Sequence, residues 1–235
     1  MTSDANLVFE ASPAVTLAIA GSDHRFPVRR VFCIGRNYAA HAREMGHDPD
    51  REPPFFFTKW AETVVQASAV PYPPETRNYQ YEGELVVALG KPGRAIRVEE
   101  ARAHIFGYAA GLDMTRRDLQ LAAKELGRPW DVGKNVEASA PVGLLHRVAD
   151  IGRLDAGPIV LRVNGVVKQQ SDISQMLWSS EEIIAHLSRY YVLQPGDLIF
   201  TGTPEGVGAV QPGDRIELAI DGLEPLRVEI TSPLE

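Results

Sequence analysis

A single cysteine, Cys33, among 235 residues rules out an internal disulfide and points away from an oxidising compartment. No apolar run approaches the length of a membrane span. The opening residues, Met1-Thr2-Ser3-Asp4-Ala5-Asn6, lack the basic and apolar regions of a secretory leader. Basic runs are also missing, and the net charge is -7, so nucleic acid is not an expected partner. There is no Gly-x-Gly-x-x-Gly fingerprint and no Ser-centred nucleophile elbow. These absences predict a cytoplasmic protein with neither a membrane nor a nucleic-acid partner.

What is present is a chain that is 44% hydrophobic, enough for one large core or a smaller one with an appendage. Its 17 prolines and 20 glycines are dispersed, which favours many short strands and tight turns over a linker. We expect a mixed α+β fold, mostly β, with a few peripheral helices. Residues 1–70 read as a small N-terminal module and 71–235 as the catalytic domain. Residues 7–20 read as two short strands, Val28–Ile34 as another and Phe55–Lys59 as a buried one. A short helix is expected over Tyr38–Met45, with Asn37 as its cap and Gly46 as its stop. The polar, breaker-rich stretch from Gly46 to Pro54 reads as a loop, and 37–54 together as a lid. Further helices are expected at about 98–105, 115–126 and 180–191. The second carries a capping-box-like Thr115/Asp118 and the third Ser179/Glu182. Asn164-Gly165 and Asp221-Gly222 predict hairpins whose two central residues both have positive φ.

The chemistry centres on Tyr81-Glu82-Gly83-Glu84-Leu85-Val86-Val87-Ala88-Leu89. Side chains of a strand alternate, so Glu82 and Glu84 share a face. A lone Glu-x-Glu usually lies in water. Here the strand continues as an apolar, buried run, and Asp113 ends another such run at Gly111-Leu112-Asp113. Three carboxylates at buried strand ends call for a positive partner, most simply a hard divalent cation. His41 and Glu44 are three apart on the short helix and share a face, so the carboxylate can orient the imidazole as a base. Lys134 follows an aromatic-bearing loop. Thr201-Gly202-Thr203-Pro204-Glu205-Gly206-Val207-Gly208 follows an apolar strand and offers backbone N–H groups to an anion. Cys33, within an apolar strand, reads as a core residue.

Taken in order, these segments resemble a known family. Gly35-Arg36-Asn37-Tyr38-Ala39-Ala40-His41-Ala42-Arg43-Glu44 is similar to the Gly-x-Asn-Tyr-x-x-His-x-x-Glu signature of the fumarylacetoacetate hydrolase family. Glu82-Gly83-Glu84-Leu85, Leu112 to Asp118, Gly133-Lys134 and Phe200 to Gly208 resemble its other blocks, from about Val31 to Val228. The resemblance implies a fumarylacetoacetate hydrolase-like β-roll, usually a homodimer, with Mg²⁺ or Mn²⁺ on Glu82, Glu84 and Asp113. It implies that a His41–Glu44 dyad activates water and that Lys134 and Gln120 contact the reacting carbonyl. Arg36, Lys59 and Thr203 match substrate-pocket positions. Gly127 to Asp131 is most similar to members that split acylpyruvates in gentisate-type aromatic-acid catabolism, so the expected ligand is a small 2-oxo acid, foremost fumarylpyruvate. Rival readings are an oxaloacetate decarboxylase, a 2-oxo acid tautomerase or hydratase, and a non-catalytic binding module.

Overall fold

Six strands form the sheet that carries the site, in the order His146–Arg147, Ile105–Leu112, Gly83–Leu89, Asp197–Phe200, Arg30–Gly35 and Phe55–Lys59. The computed structural model describes residues 7–44 and 52–233. Neighbours in this sheet are antiparallel, except that Asp197–Phe200 runs parallel to Arg30–Gly35. A five-stranded sheet orders Val166–Asp172, Pro158–Val163, Arg215–Ile220, Leu226–Thr231 and Ala69–Pro71. A three-stranded sheet joins Thr115–Arg116, Tyr79–Tyr81 and Gly208–Ala209. The protein is thus mostly β with helices at its periphery, as expected.

Gly83–Leu89 is buried along its whole length, and its alternating side chains enter two cores. Leu85, Val87 and Leu89 join a large cluster with residues of the five-stranded sheet, including Leu161 and Leu218. Val86 and Ala88 join a second cluster on the opposite face, together with Cys33 and Phe200. Glu82 and Glu84 continue that second face. Beside them, Glu84 pairs with Gly111 in the neighbouring strand. A side chain at Gly111 would put a Cβ 2.4 Å from Val86 Cγ2, so glycine permits this close packing. Asp113, two residues on, emerges on the same side as the glutamates.

Hydrogen bonding runs across the expected boundary near residue 70: Arg30–Gly35 pairs with Asp197–Phe200, Val64–Val65 with Ala140–Pro141, and Ala69–Pro71 with Leu226–Thr231. Residues 7–20 hold one strand, Thr16–Ile19, rather than the expected two, and it pairs with Ser22–Pro27. Phe55–Lys59 is an edge strand and largely half-buried rather than buried. The short helix spans Ala39–Glu44, but Asn37 does not cap it. Its amide instead donates to the carbonyls of Trp178 and Thr201 and accepts from Trp178 N.

The helix Arg117–Glu125 begins two residues later than expected. Thr115 lies in a strand, and Asp118 accepts from Thr76 and from Arg77 N. The Ser179/Glu182 capping box is present, and its helix, Ser180–Tyr190, buries Ile183, Ile184 and Leu187. Asn164 and Gly165 both have positive φ, as their hairpin requires. At the other hairpin only Gly222 does, because the loop between Ile220 and Leu226 is longer than two residues. Of the expected lid, residues 45–51 lie outside the described residues. No helix among the described residues is long and apolar enough to cross a membrane.

Candidate active site

Glu82, Glu84 and Asp113 are all buried, and one oxygen of each lies within 4.8 Å of the others. Their charges are balanced unevenly. Lys134 Nζ sits 2.8 Å from Glu82 Oε2, 2.7 Å from Asp113 Oδ2 and 2.7 Å from Thr115 Oγ1. Arg117 donates to the other oxygen of Glu82. Burial alone would push the Glu82 carboxyl up, but Lys134 and Arg117 outweigh it and hold the group well below the usual carboxylate range. Burial likewise disfavours the Lys134 ammonium, but Asp113 and Glu82 overcome it and raise the pKa.

Glu84 is different. It forms no ion pair among the described residues and accepts one hydrogen bond, from Gly202 N at 2.8 Å. Burial, then Asp113 and Glu82, push its carboxyl well above its ordinary value. Asp113 Oδ1 is buried without a hydrogen bond; Lys59 Nζ is 3.0 Å away, close enough for charge attraction but not aligned. An unpaired carboxylate beside an orphaned carboxylate oxygen, in an all-oxygen donor set, fits a hard divalent cation such as Mg²⁺ or Mn²⁺.

His41 opens onto the same cavity as the three carboxylates. Its Nδ1 lies 3.0 Å from Glu44 Oε2, so the spacing read from the sequence does bring the pair together. The other ring nitrogen is thereby left for chemistry. The glycine-rich loop does bind anions, but they are the chain's own: Gly202 N serves Glu84, and Gly206 N serves Glu44. Thr203 Oγ1 donates to Gly83 O and accepts from Gln169, so toward the cavity it offers an acceptor lone pair rather than its proton.

The remaining expected residues divide. Gln120, Lys134, Arg36 and Thr203 line the cavity. Lys59 is not part of that wall; its ammonium is spent on the carbonyls of Met114 and Lys134 and on Asp113. Arg36 holds a left-handed backbone conformation at φ 57° and lays its guanidinium 5.0 Å from the centre of the Phe55 ring. Phe55 and Phe57 pack edgewise or tilted on Trp130, giving the cavity an aromatic side. Arg117 escaped the sequence reading. It also donates to Gln120 Oε1, which leaves the amide N–H₂ of Gln120 as a donor with no acceptor among the described residues. Its position three before Gln120 in one helix was the available signal.

A mostly β fold that sets a buried carboxylate triad on a cavity wall, with His41 and its partner Glu44 beside it, offers an all-oxygen site for a divalent cation. The chain belongs to the fumarylacetoacetate hydrolase family: the family's C-terminal domain profile matches residues 30–231. It is 49% identical over 189 residues to a fumarylpyruvate hydrolase from Ralstonia sp, covering 79% of this chain and 98% of that protein. The crystal structure of Pseudomonas aeruginosa fumarylpyruvate hydrolase in complex with Mn²⁺ and pyruvate superimposes with a TM-score of 0.94 at 54% identity, covering 98% of this chain and 100% of the other. Rat mitochondrial oxaloacetate tautomerase FAHD1 is 39% identical over 202 residues, covering 86% of this chain and 91% of that protein.

Proposed function

We propose that this protein is a metal-dependent hydrolase of a carbon–carbon bond in acylpyruvates, with fumarylpyruvate, split to fumarate and pyruvate, as its foremost substrate. The observation that carries this reading is that His41, bonded to Glu44, shares one cavity with Glu82, Glu84 and Asp113. The likeness to fumarylpyruvate hydrolases, one of them with Mn²⁺ and pyruvate, supports it. Glu82, Glu84 and Asp113 would hold Mg²⁺ or Mn²⁺, which supplies Lewis acidity toward the 2-oxo acid and a sink for negative charge.

His41, oriented by Glu44, takes a proton from water, whose oxygen bonds to the carbonyl distal to the pyruvate end. Gln120, its amide fixed by Arg117, faces the oxyanion that forms, and the Lys134 ammonium, its three N–H groups held by Glu82, Asp113 and Thr115, contributes its charge from beside it. The carbon–carbon bond then breaks, its electron pair leaves with the pyruvate fragment as enolate, and a proton completes pyruvate. We read its setting as cytoplasmic aromatic-acid catabolism of the gentisate type and its working form as a homodimer.

Oxaloacetate tautomerisation is the second reading, favoured by the 39% identity to the rat tautomerase. Turnover of fumarylpyruvate, acetylpyruvate and oxaloacetate with Mn²⁺, with Mg²⁺ and with chelator separates the two. Metal-dependent cleavage of fumarylpyruvate well above any conversion of oxaloacetate supports the hydrolase; the reverse order establishes the tautomerase or decarboxylase.

A further inference from the structure

Gln169 is a buried polar residue in a strand whose neighbours, Lys168 and Gln170, are exposed. An apolar side chain is the ordinary occupant of such a place, because a buried amide is costly unless all its groups are bonded. Here they are. Oε1 accepts from Gly83 N at 3.0 Å, and Nε2 donates to Thr203 Oγ1 and to Pro204 O, both at 2.8 Å. Thr203 Oγ1 in turn donates to Gly83 O at 2.9 Å. The three residues close a ring of hydrogen bonds around the glycine that separates Glu82 from Glu84.

The ring ties the strand bearing the carboxylates to the loop 201–206. That loop holds Glu84 through Gly202 N and Glu44 through Gly206 N. The strand of Gln169 also meets the far end of the loop, where a Cβ on Gly206 would fall 2.1 Å from Lys168 O. Gln169 itself does not line the cavity and bonds neither His41 nor Glu44.

We propose that Gln169 is a positioning residue that sets the His41–Glu44 pair against the carboxylate triad, acting through Gly83, Thr203 and Pro204. This rests on the reading of that pair as the base that activates water. Displacement of a catalytic group by about 1 Å from a site remote from the chemistry costs about 10²-fold in rate. Gln169→Met keeps length and volume but makes none of the three hydrogen bonds. It should lower kcat for fumarylpyruvate by about 10²-fold, leaving KM and the Mn²⁺ dissociation constant, read from free Mn²⁺ by electron paramagnetic resonance, near wild-type values. A double-mutant cycle with Glu44→Gln supplies the decisive readout, because residues acting through one network are not additive. With Glu44 already disabled, Gln169→Met should cost little more.

Gln169→Glu, which keeps the acceptor for Gly83 N and loses both donors, is the second variant should the first fail to fold. Turnover by the wild-type chain reports on the hydrolase reading, and the ratio of variant to wild type reports on Gln169. Wild-type kcat in either folded variant, additive losses in the cycle, a parallel loss of Mn²⁺ binding, or failure of both variants to fold would each overturn the proposal.

Discussion

Gly206 N donates to both carboxylate oxygens of Glu44, at 3.1 and 3.2 Å, across 162 residues of chain. Two elements far apart in sequence thereby fix one carboxylate, the partner of His41. Gly206 holds φ 91° and has no room for a Cβ beneath Lys168 O. Gly206→Ala should therefore displace the loop and release Glu44, lowering fumarylpyruvate hydrolysis by about 10²-fold through misplacement of the dyad. Steady-state kinetics with Mn²⁺ titration checks it; unchanged kcat would mean that Glu44 needs no such anchor.

Glu84→Ala removes the carboxylate that has no ion pair of its own among the described residues. Protein-bound Mn²⁺, measured by electron paramagnetic resonance, should fall to background, and with it the thermal stabilisation by added metal, which follows RT ln(1 + [L]/Kd). Full activity of this variant in chelator-treated buffer would eliminate the metal site.

The triad was legible because strand geometry has a period of two and the apolar runs announced which ends were buried: Glu82, Glu84 and Asp113 needed no tertiary information. His41 and Glu44 were legible for the same reason on a helix. Asn37 was misread because the same amide that caps helices also cross-links loops, and its partners, Trp178 and Thr201, lie more than a hundred residues away. Thr115 was misread likewise; its hydroxyl faces Lys134 and no helix starts there. The loop 201–208 was read as an anion binder, but that its anions are Glu84 and Glu44 is a matter of topology. Lys59 and Gln169 show the limit of pattern reading: whether a buried polar side chain walls a cavity or braces it depends on contacts between sheets.

His41→Ala leaves the three carboxylates in place while removing the group proposed to take the proton from water. Acylpyruvate cleavage should fall by about 10² to 10⁴, the usual contribution of a general base. Mn²⁺ affinity should hold. Any oxaloacetate decarboxylation, which needs no attacking water, should fall much less. Equal losses of both activities would reduce His41 to a substrate-positioning role and remove the water-activation step.

On the proposed function, Arg36 is the residue expected to decide which acylpyruvate fits. Its guanidinium lines the cavity, stacks on Phe55 and has no carboxylate partner among the described residues, whereas Arg117 and Lys134 are both committed to Glu82. Its left-handed backbone is a strain of the kind retained where a side chain must point in one direction. Fumarylpyruvate carries a second carboxylate at its acyl end, and acetylpyruvate carries a methyl group there. A hydrogen bond to a charged group contributes about 1.5–3 kcal/mol, so Arg36→Met should lower kcat/KM for fumarylpyruvate by about 10- to 100-fold. Acetylpyruvate cleavage should change little, and the ratio of the two substrates is the quantity to measure. Loss of the same factor on both would place Arg36 at the pyruvate end or in the scaffold, and the acyl carboxylate would need another partner on the cavity wall.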